Sequence, residues 1–216
     1  MKRDTKKLTT VAMLCALAYI VMFVARIPVV LFLKYDPKDV VIVIGGFLFG
    51  PLTSFAISAV VSLVEMITVS DTGLWGLLMN ILSSCSFACT AALIYKKRHT
   101  VKGAVAGLVS GVVVMAAVML LWNYLITPIY MGYPRAAVAE LLLPAFLPFN
   151  LLKGGLNAAI AMLLYKPVAT ALRKAGLAPE STGDSSAPQR NLGVTLAALV
   201  ALATCVLLVL VMKDVI

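Results

Sequence analysis

The run VVIVIGGFLFGPLTSFAISAVVSLV, Val40–Val64, decides the fold. It carries no charge across 25 residues. A membrane-spanning helix needs roughly 20 apolar residues, so the run fits one long span or two short ones. Gly45, Gly46, Gly50 and Pro51 lie inside it, and glycine and proline favour a break. Charge parity chooses between the readings. The basic clusters are Lys2, Arg3, Lys6 and Lys7, then Lys96, Lys97, Arg98 and Lys102, then Lys166, Arg173, Lys174 and Arg190. Cytoplasmic loops collect Lys and Arg, so all three clusters belong on one side. That requires an even number of spans between residues 8 and 95. Splitting the run at Phe49–Gly50–Pro51 supplies it. Asp36 is then placed to cap the first half, with Pro37 at the first helical position and Asp39 in the first turn.

Working outward, the other uncharged runs are Leu8–Ala25, Thr72–Tyr95, Gly103–Pro134, Leu141–Tyr165 (interrupted by Lys153) and Leu192–Met212. They predict helices over about 8–26, 36–49, 52–70, 74–95, 103–127, 148–174 and 192–212. The inside then carries twelve basic and three acidic residues, and the outside five of each. Two outer loops are long, at 27–35 and 128–147, and RAAVAELLL in the second has helical composition. Residues 176–191 are rich in Gly, Pro and Ser and read as a cytoplasmic linker. The division expected is therefore a six-helix membrane domain over 1–175, that linker, and an extra transmembrane helix over 192–216. The N-terminus is expected in the cytoplasm and the C-terminus outside.

Composition agrees. Of 216 residues, 62% are hydrophobic and 12% charged, and mean hydropathy is +1.04. A soluble domain carries about half apolar and a quarter charged residues. Long apolar runs without strict alternation exclude a membrane β-barrel. An all-α polytopic membrane protein remains. The net charge of +9 reads as basic loops beside the lipid bilayer, not as a nucleic-acid surface. Leu8–Ala25 exceeds a signal-peptide core and lacks a cleavage site after it, so it reads as the first span. Cys15, Cys85, Cys89 and Cys205 all lie in apolar runs without metal-site spacing. The single His99 falls in a cytoplasmic loop. No nucleotide loop, zinc motif or catalytic triad is present, so no cofactor is expected and uphill transport would draw on a partner or an ion gradient.

Polar side chains at bilayer depth are functional candidates, because each costs a few kcal/mol to insert. Lys153 is foremost, in PFNLLKGGLN, residues 148–157. Asn150 lies three residues earlier and shares its helix face. Asn123 lies between Trp122 and Tyr124, and Asn80 in the fourth helix. Three readings of Glu65 are open: pairing with Lys153, facing a ligand, or reaching surface water. Asn123, Asn150, Lys153, Glu65 and the loop 27–39 all map to the outer third of the bundle. Amides, one cation and aromatics suit a planar, uncharged, polar-edged small molecule. A strong anion would want clustered Arg, and a proton relay a chain of Asp, Glu or His. On the first helix Ala12 and Ala16 form a small-xxx-small pair, suited to packing inside the bundle or to docking a partner.

These residues resemble a family. TTVAMLCALAYIVMF at 9–23, YDPKDVVIVIGGFLFGP at 35–51, TGLWGLLMN at 72–80, WNYLITPIY at 122–130 and PFNLLKGGLN at 148–157 are similar to stretches of the substrate-binding S components of energy-coupling factor (ECF) vitamin transporters, most closely the riboflavin-specific type. The resemblance implies a six-helix S-component bundle with an outward-facing vitamin pocket, docked on a transmembrane coupling subunit driven by two ATPase subunits. It implies that the protein topples in the membrane to release its cargo. By motif, Asn123, Asn150 and Lys153 would bind the isoalloxazine edge or ribityl chain. The loop Lys34–Asp39, with Tyr35 and Asp39, would form the lid, and Ala12 and Ala16 would face the coupling subunit. The family often has a basic or amide residue near Glu65, and it lacks the seventh helix. An S component for folate, thiamine or pantothenate is the alternative, and a stand-alone carrier or membrane enzyme a more distant one.

Overall fold

In a computed structural model the chain is described over residues 2–30, 33–70, 72–179 and 192–212. Helix α1 spans Lys2–Val24 and is followed by a hairpin of β1 (Ile27–Val30) and β2 (Leu33–Tyr35). Then come α2 (Lys38–Phe49), α3 (Pro51–Thr68), α4 (Gly73–Lys97) and α5 (Val101–Met131). A short α6 (Arg135–Leu141) leads through a π-helical turn, Leu142–Phe146, into α7 (Leu147–Lys174), and α8 covers Leu192–Met212. Much of the linker expected at 176–191 lies outside the described residues.

The break at Gly50 is where the glycine and proline spacing predicted it. Gly50 has φ +97°, a backbone region that L side chains avoid, and Pro51 opens α3. Helix α2 has only 12 residues, a rise of about 18 Å, short of the roughly 30 Å hydrocarbon core. It tolerates this because lipid never meets it: every residue from Lys38 to Leu48 is buried. Neighbours α1, α3, α4 and α7 enclose it. Among the described residues, five other helical segments are long and apolar enough to cross a membrane. Their outward side chains, such as Leu52, Ile67, Val113, Leu121 and Ile129, are apolar and exposed.

Three expectations are corrected. Asp36 does not cap α2: the cap position is Pro37, with no side-chain hydrogen bond. Helix α5 continues past residue 127, through Pro128, to Met131. Proline there removes one ladder bond, the one its amide would have made to the Tyr124 carbonyl. The loop at 27–35 contains antiparallel strands, pairing Ile27 with Tyr35 and Pro28 with Lys34. Leu33 and Tyr35 point inward and Lys34 outward, the alternation that period-2 geometry imposes.

Helices α4 and α5 touch backbone to backbone. A Cβ added at Gly107 would stand 2.7 Å from the Ala91 carbonyl oxygen, and one at Gly111 2.6 Å from that of Phe87. Small residues at four-residue spacing permit such approach. Gly111→Leu is therefore expected to force the two helices apart and cost about 1–3 kcal/mol, read as a lower Tm of the purified protein. At the end away from the hairpin, the Tyr95 and Tyr165 hydroxyls lie 2.7 Å apart, with Phe47 packed on both rings.

Candidate functional site

The hairpin end of the bundle holds six ionisable side chains in one connected group. Arg26 follows α1, Asp36 precedes α2, Lys38 and Asp39 open α2, Glu65 ends α3, and Lys153 lies in α7. The Lys38 ammonium is 2.6 Å from Glu65 Oε2 and 3.8 Å from Asp36 Oδ2. Arg26 Nη2 is 3.1 Å from Glu65 Oε1. Lys153 Nζ stands 3.9 Å from Asp36 Oδ2 and 3.7 Å from Asp39 Oδ2. Three basic and three acidic side chains thus balance. Burying charge is costly unless each is paired, and pairing is what admits Lys38, Asp39 and Glu65 to the interior at 0%, 0% and 1% exposure.

Hydrogen bonds extend the group. The Ser84 hydroxyl donates to Asp39 Oδ1 at 2.5 Å. Asn157 Nδ2 donates to Asp39 Oδ2 at 3.4 Å, and the Tyr35 hydroxyl donates to Asn157 Oδ1 at 3.1 Å. Burial raises the Tyr35 phenol above its ordinary pKa, and the carboxylates of Asp36 and Asp39 raise it further, so it acts as a donor across the usable pH range. Asp36 Oδ1 has no hydrogen-bond partner.

Burial pushes the Asp36 carboxyl up, but Lys38, Lys153 and Arg26 together outweigh it and hold Asp36 below the ordinary carboxylate range. A depressed folded-state pKa stabilises above the unfolded value, near 3.9, and the gain is lost as pH falls through the folded one. Asp36 is therefore expected to contribute a loss of thermal stability as pH falls below about 4. Asp36→Asn lowers Tm at neutral pH and shrinks the acid drop. An equally steep drop in the variant would refute the assignment.

The predicted residues fall out as follows. Lys153 and Asn150 are buried on α7, and Asn123 is buried on α5. Asn123 Nδ2 donates to the Met119 carbonyl at 2.8 Å, and its Oδ1 accepts from the Thr127 hydroxyl at 3.0 Å. Asn150 Nδ2 donates to the Phe146 carbonyl at 2.8 Å. Each amide is thus aimed by its own helix and keeps hydrogen-bonding capacity in reserve. Asp39 joins the Lys153 group directly, and Tyr35 joins it through Asn157. Glu65 pairs with Lys38 and Arg26, and not with Lys153. Asn80 is half-buried on α4, one turn from Ser84. Ala12 and Ala16 are exposed on α1, while its buried stripe is Leu14, Ala18 and Met22. Packing within the bundle is therefore not what they do.

Beside Asn123 opens a shallow cleft between α4 and α5, lined by Trp75, Met79, Trp122, Thr127 and Tyr130 among others. Thr127 connects it to Asn123. Among the described residues no group of three or more His, Cys, Asp or Glu is placed for a metal ion.

Sequence reasoning missed Arg26, Asp36, Lys38, Ser84 and Asn157 as members. Asn157 was findable, since it lies four residues after Lys153 on the same helix face. In the sequence Lys38 and Arg26 count only among the outer-side charges. Their partner Glu65 is 27 residues from Lys38, and spacing alone gives no sign of such a pair.

The comparisons with known proteins agree with this architecture. The family model described as "ECF transporter, substrate-specific component" matches residues 6–165. The riboflavin transporter RibU of Staphylococcus aureus (strain TCH60) is 29% identical over 182 residues, covering 80% of this chain and 95% of that protein. The riboflavin transporter FmnP of Bacillus subtilis (strain 168) is 28% identical over 173 residues, covering 74% and 90%. A solved structure of the S component of a bacterial ECF transporter superposes with a TM-score of 0.67 at 29% identity, covering 79% of this chain and 99% of that one. With the helical bundle, its outward apolar belt and the match over most of its length, the chain belongs to the family of substrate-specific components of ECF transporters.

Proposed function

We propose that this protein binds riboflavin at the hairpin end and carries it into the cell together with an ATP-driven energy-coupling module. The observation that carries the reading is the set of buried hydrogen-bonding side chains at that end, Lys153 and Asn150 on α7 and Asn123 on α5, with an aromatic cleft beside Asn123. A neutral flavin has a polar ring edge for amides and an ammonium, and a flat face for tryptophan. The charges are already balanced, which favours an uncharged guest. Asp39, Tyr35, Asn80 and Glu65 complete or support the site. The likeness to riboflavin transporters points the same way.

The hairpin end faces outward in this reading, and both the N-terminus and the exposed basic residues Lys96, Lys97 and Arg98 face the cytoplasm. Helix α8 returns the C-terminus to the outer side. Residues 1–175 form the vitamin-binding domain, 176–191 the linker and 192–216 the added helix. Ala12 and Ala16 present a low-relief face on α1 to the transmembrane coupling subunit. Two ATPase subunits supply the energy, so the chain itself is a transport subunit and not an enzyme, and riboflavin is cargo and not cofactor.

The test is a fluorescence titration on purified chain. Riboflavin emission is expected to quench on binding, and excess folate, thiamine or pantothenate to leave the quench unchanged. No quench with riboflavin, but a Tm increase with one of the other vitamins, would overturn the riboflavin assignment. Uptake by the chain without an energy-coupling module would overturn the partner assignment.

A further inference from the structure

Helix α8 lies wholly outside the family match at 6–165, yet it is docked on the ligand end of the bundle. It packs along α7 and touches β1. Gly155 makes the approach close: a Cβ there would stand 3.1 Å from Cys205 Sγ. Leu202 and Cys205 pack against a buried cluster of Tyr35, Leu152 and Leu156, which Val29 of β1 also joins. So α8 meets both strands of the hairpin and the residue preceding Lys153. From Tyr35 the contact continues by hydrogen bonds, through Asn157 to the Asp39 carboxylate, which faces Lys153.

We propose that α8 is a positioning helix for the ligand site. Leu202 and Cys205 hold the hairpin strands against α7. They fix Tyr35 where its hydroxyl orients Asn157, and through Asn157 the carboxylate beside Lys153. Lifting the hairpin for ligand exchange then requires Tyr35 and Val29 to leave their contact with α8, so α8 slows ligand release. Its distance from the docking face fits this role: α1 packs on α2 and α3, and α8 on α7 and β1. The inference rests on riboflavin binding under the hairpin.

The test uses full-length variants and the rate of riboflavin release, followed as fluorescence recovery after dilution. Leu202→Ala removes much of a half-buried side chain and is expected to speed release roughly 5- to 20-fold. Gly155→Ala places a methyl group against Cys205 and is expected to act in the same direction. Adding Cys205→Ala to it should return release toward the wild-type rate. Leu199→Ala, on the exposed side of α8, should leave release unchanged. The Tm of ligand-free protein separates the roles, since a helix that only stabilised the bundle would lower Tm in Leu202→Ala without changing release. Wild-type protein that quenches riboflavin, with variants that release it at the wild-type rate, would overturn the role of α8 and leave the function standing. Wild-type protein that does not quench riboflavin would overturn the function first and this role with it. If Leu202→Ala does not fold, the Gly155→Ala and Cys205→Ala pair decides alone.

Discussion

Replacing Lys38 with methionine is expected to destabilise the protein by about 3–5 kcal/mol, the usual cost of removing one partner from a buried ion pair. Lys38 has no exposed surface and is the shared partner of Glu65 and Asp36. Without it, Glu65 keeps Arg26, and Asp36 keeps Lys153 at 3.9 Å and the field of Arg26. A second substitution, Glu65→Gln, removes the surplus negative charge and should recover more than half of the loss. Heating curves of detergent-solubilised protein read both effects. A Lys38→Met protein that melts at the wild-type temperature would mean that the carboxylates are protonated or hydrated in the fold.

Lys153→Met has the second large effect, on binding. An ammonium hydrogen bond to a ligand is worth about 1.5–3 kcal/mol, so riboflavin should bind roughly 10- to 150-fold more weakly. The same substitution also leaves Asp39 with a surplus charge, hydrogen-bonded by Ser84 and Asn157. Lys153→Met combined with Asp39→Asn separates the two consequences. The double variant should regain Tm and not regain affinity, as titration of riboflavin fluorescence would measure. Recovery of both would place Lys153 in the scaffold and not against the ligand.

Much of this architecture was legible in the residues. Hydropathy set the helices and Gly50–Pro51 set the break between α2 and α3, because a positive φ and a missing amide hydrogen are local demands. The uncharged run of α1 left the partner of Ala12 and Ala16 open, since an apolar helix in lipid has no polar face to betray its outer side. Lys153, Asn150 and Asn123 were found because each is costly at bilayer depth. In the sequence Arg26 and Lys38 count only as outer-side charges, because they flank a span, and Asp36 reads as a helix cap. Their burial follows from long-range pairing and from a helix, α2, that is enclosed on all sides. The hairpin at 27–35 was equally hidden: its strands are three and four residues long, too short for alternation to stand out from a loop.

The balance of three basic and three acidic side chains under the hairpin has an electrical consequence. Moving one elementary charge through a membrane potential of 100 mV takes about 2.3 kcal/mol. A group whose formal charges cancel, loaded with a neutral guest, does no such net-charge work when it changes depth. Riboflavin adds no charge, so the empty and loaded forms would travel at the same electrical cost and the membrane potential would not tell them apart.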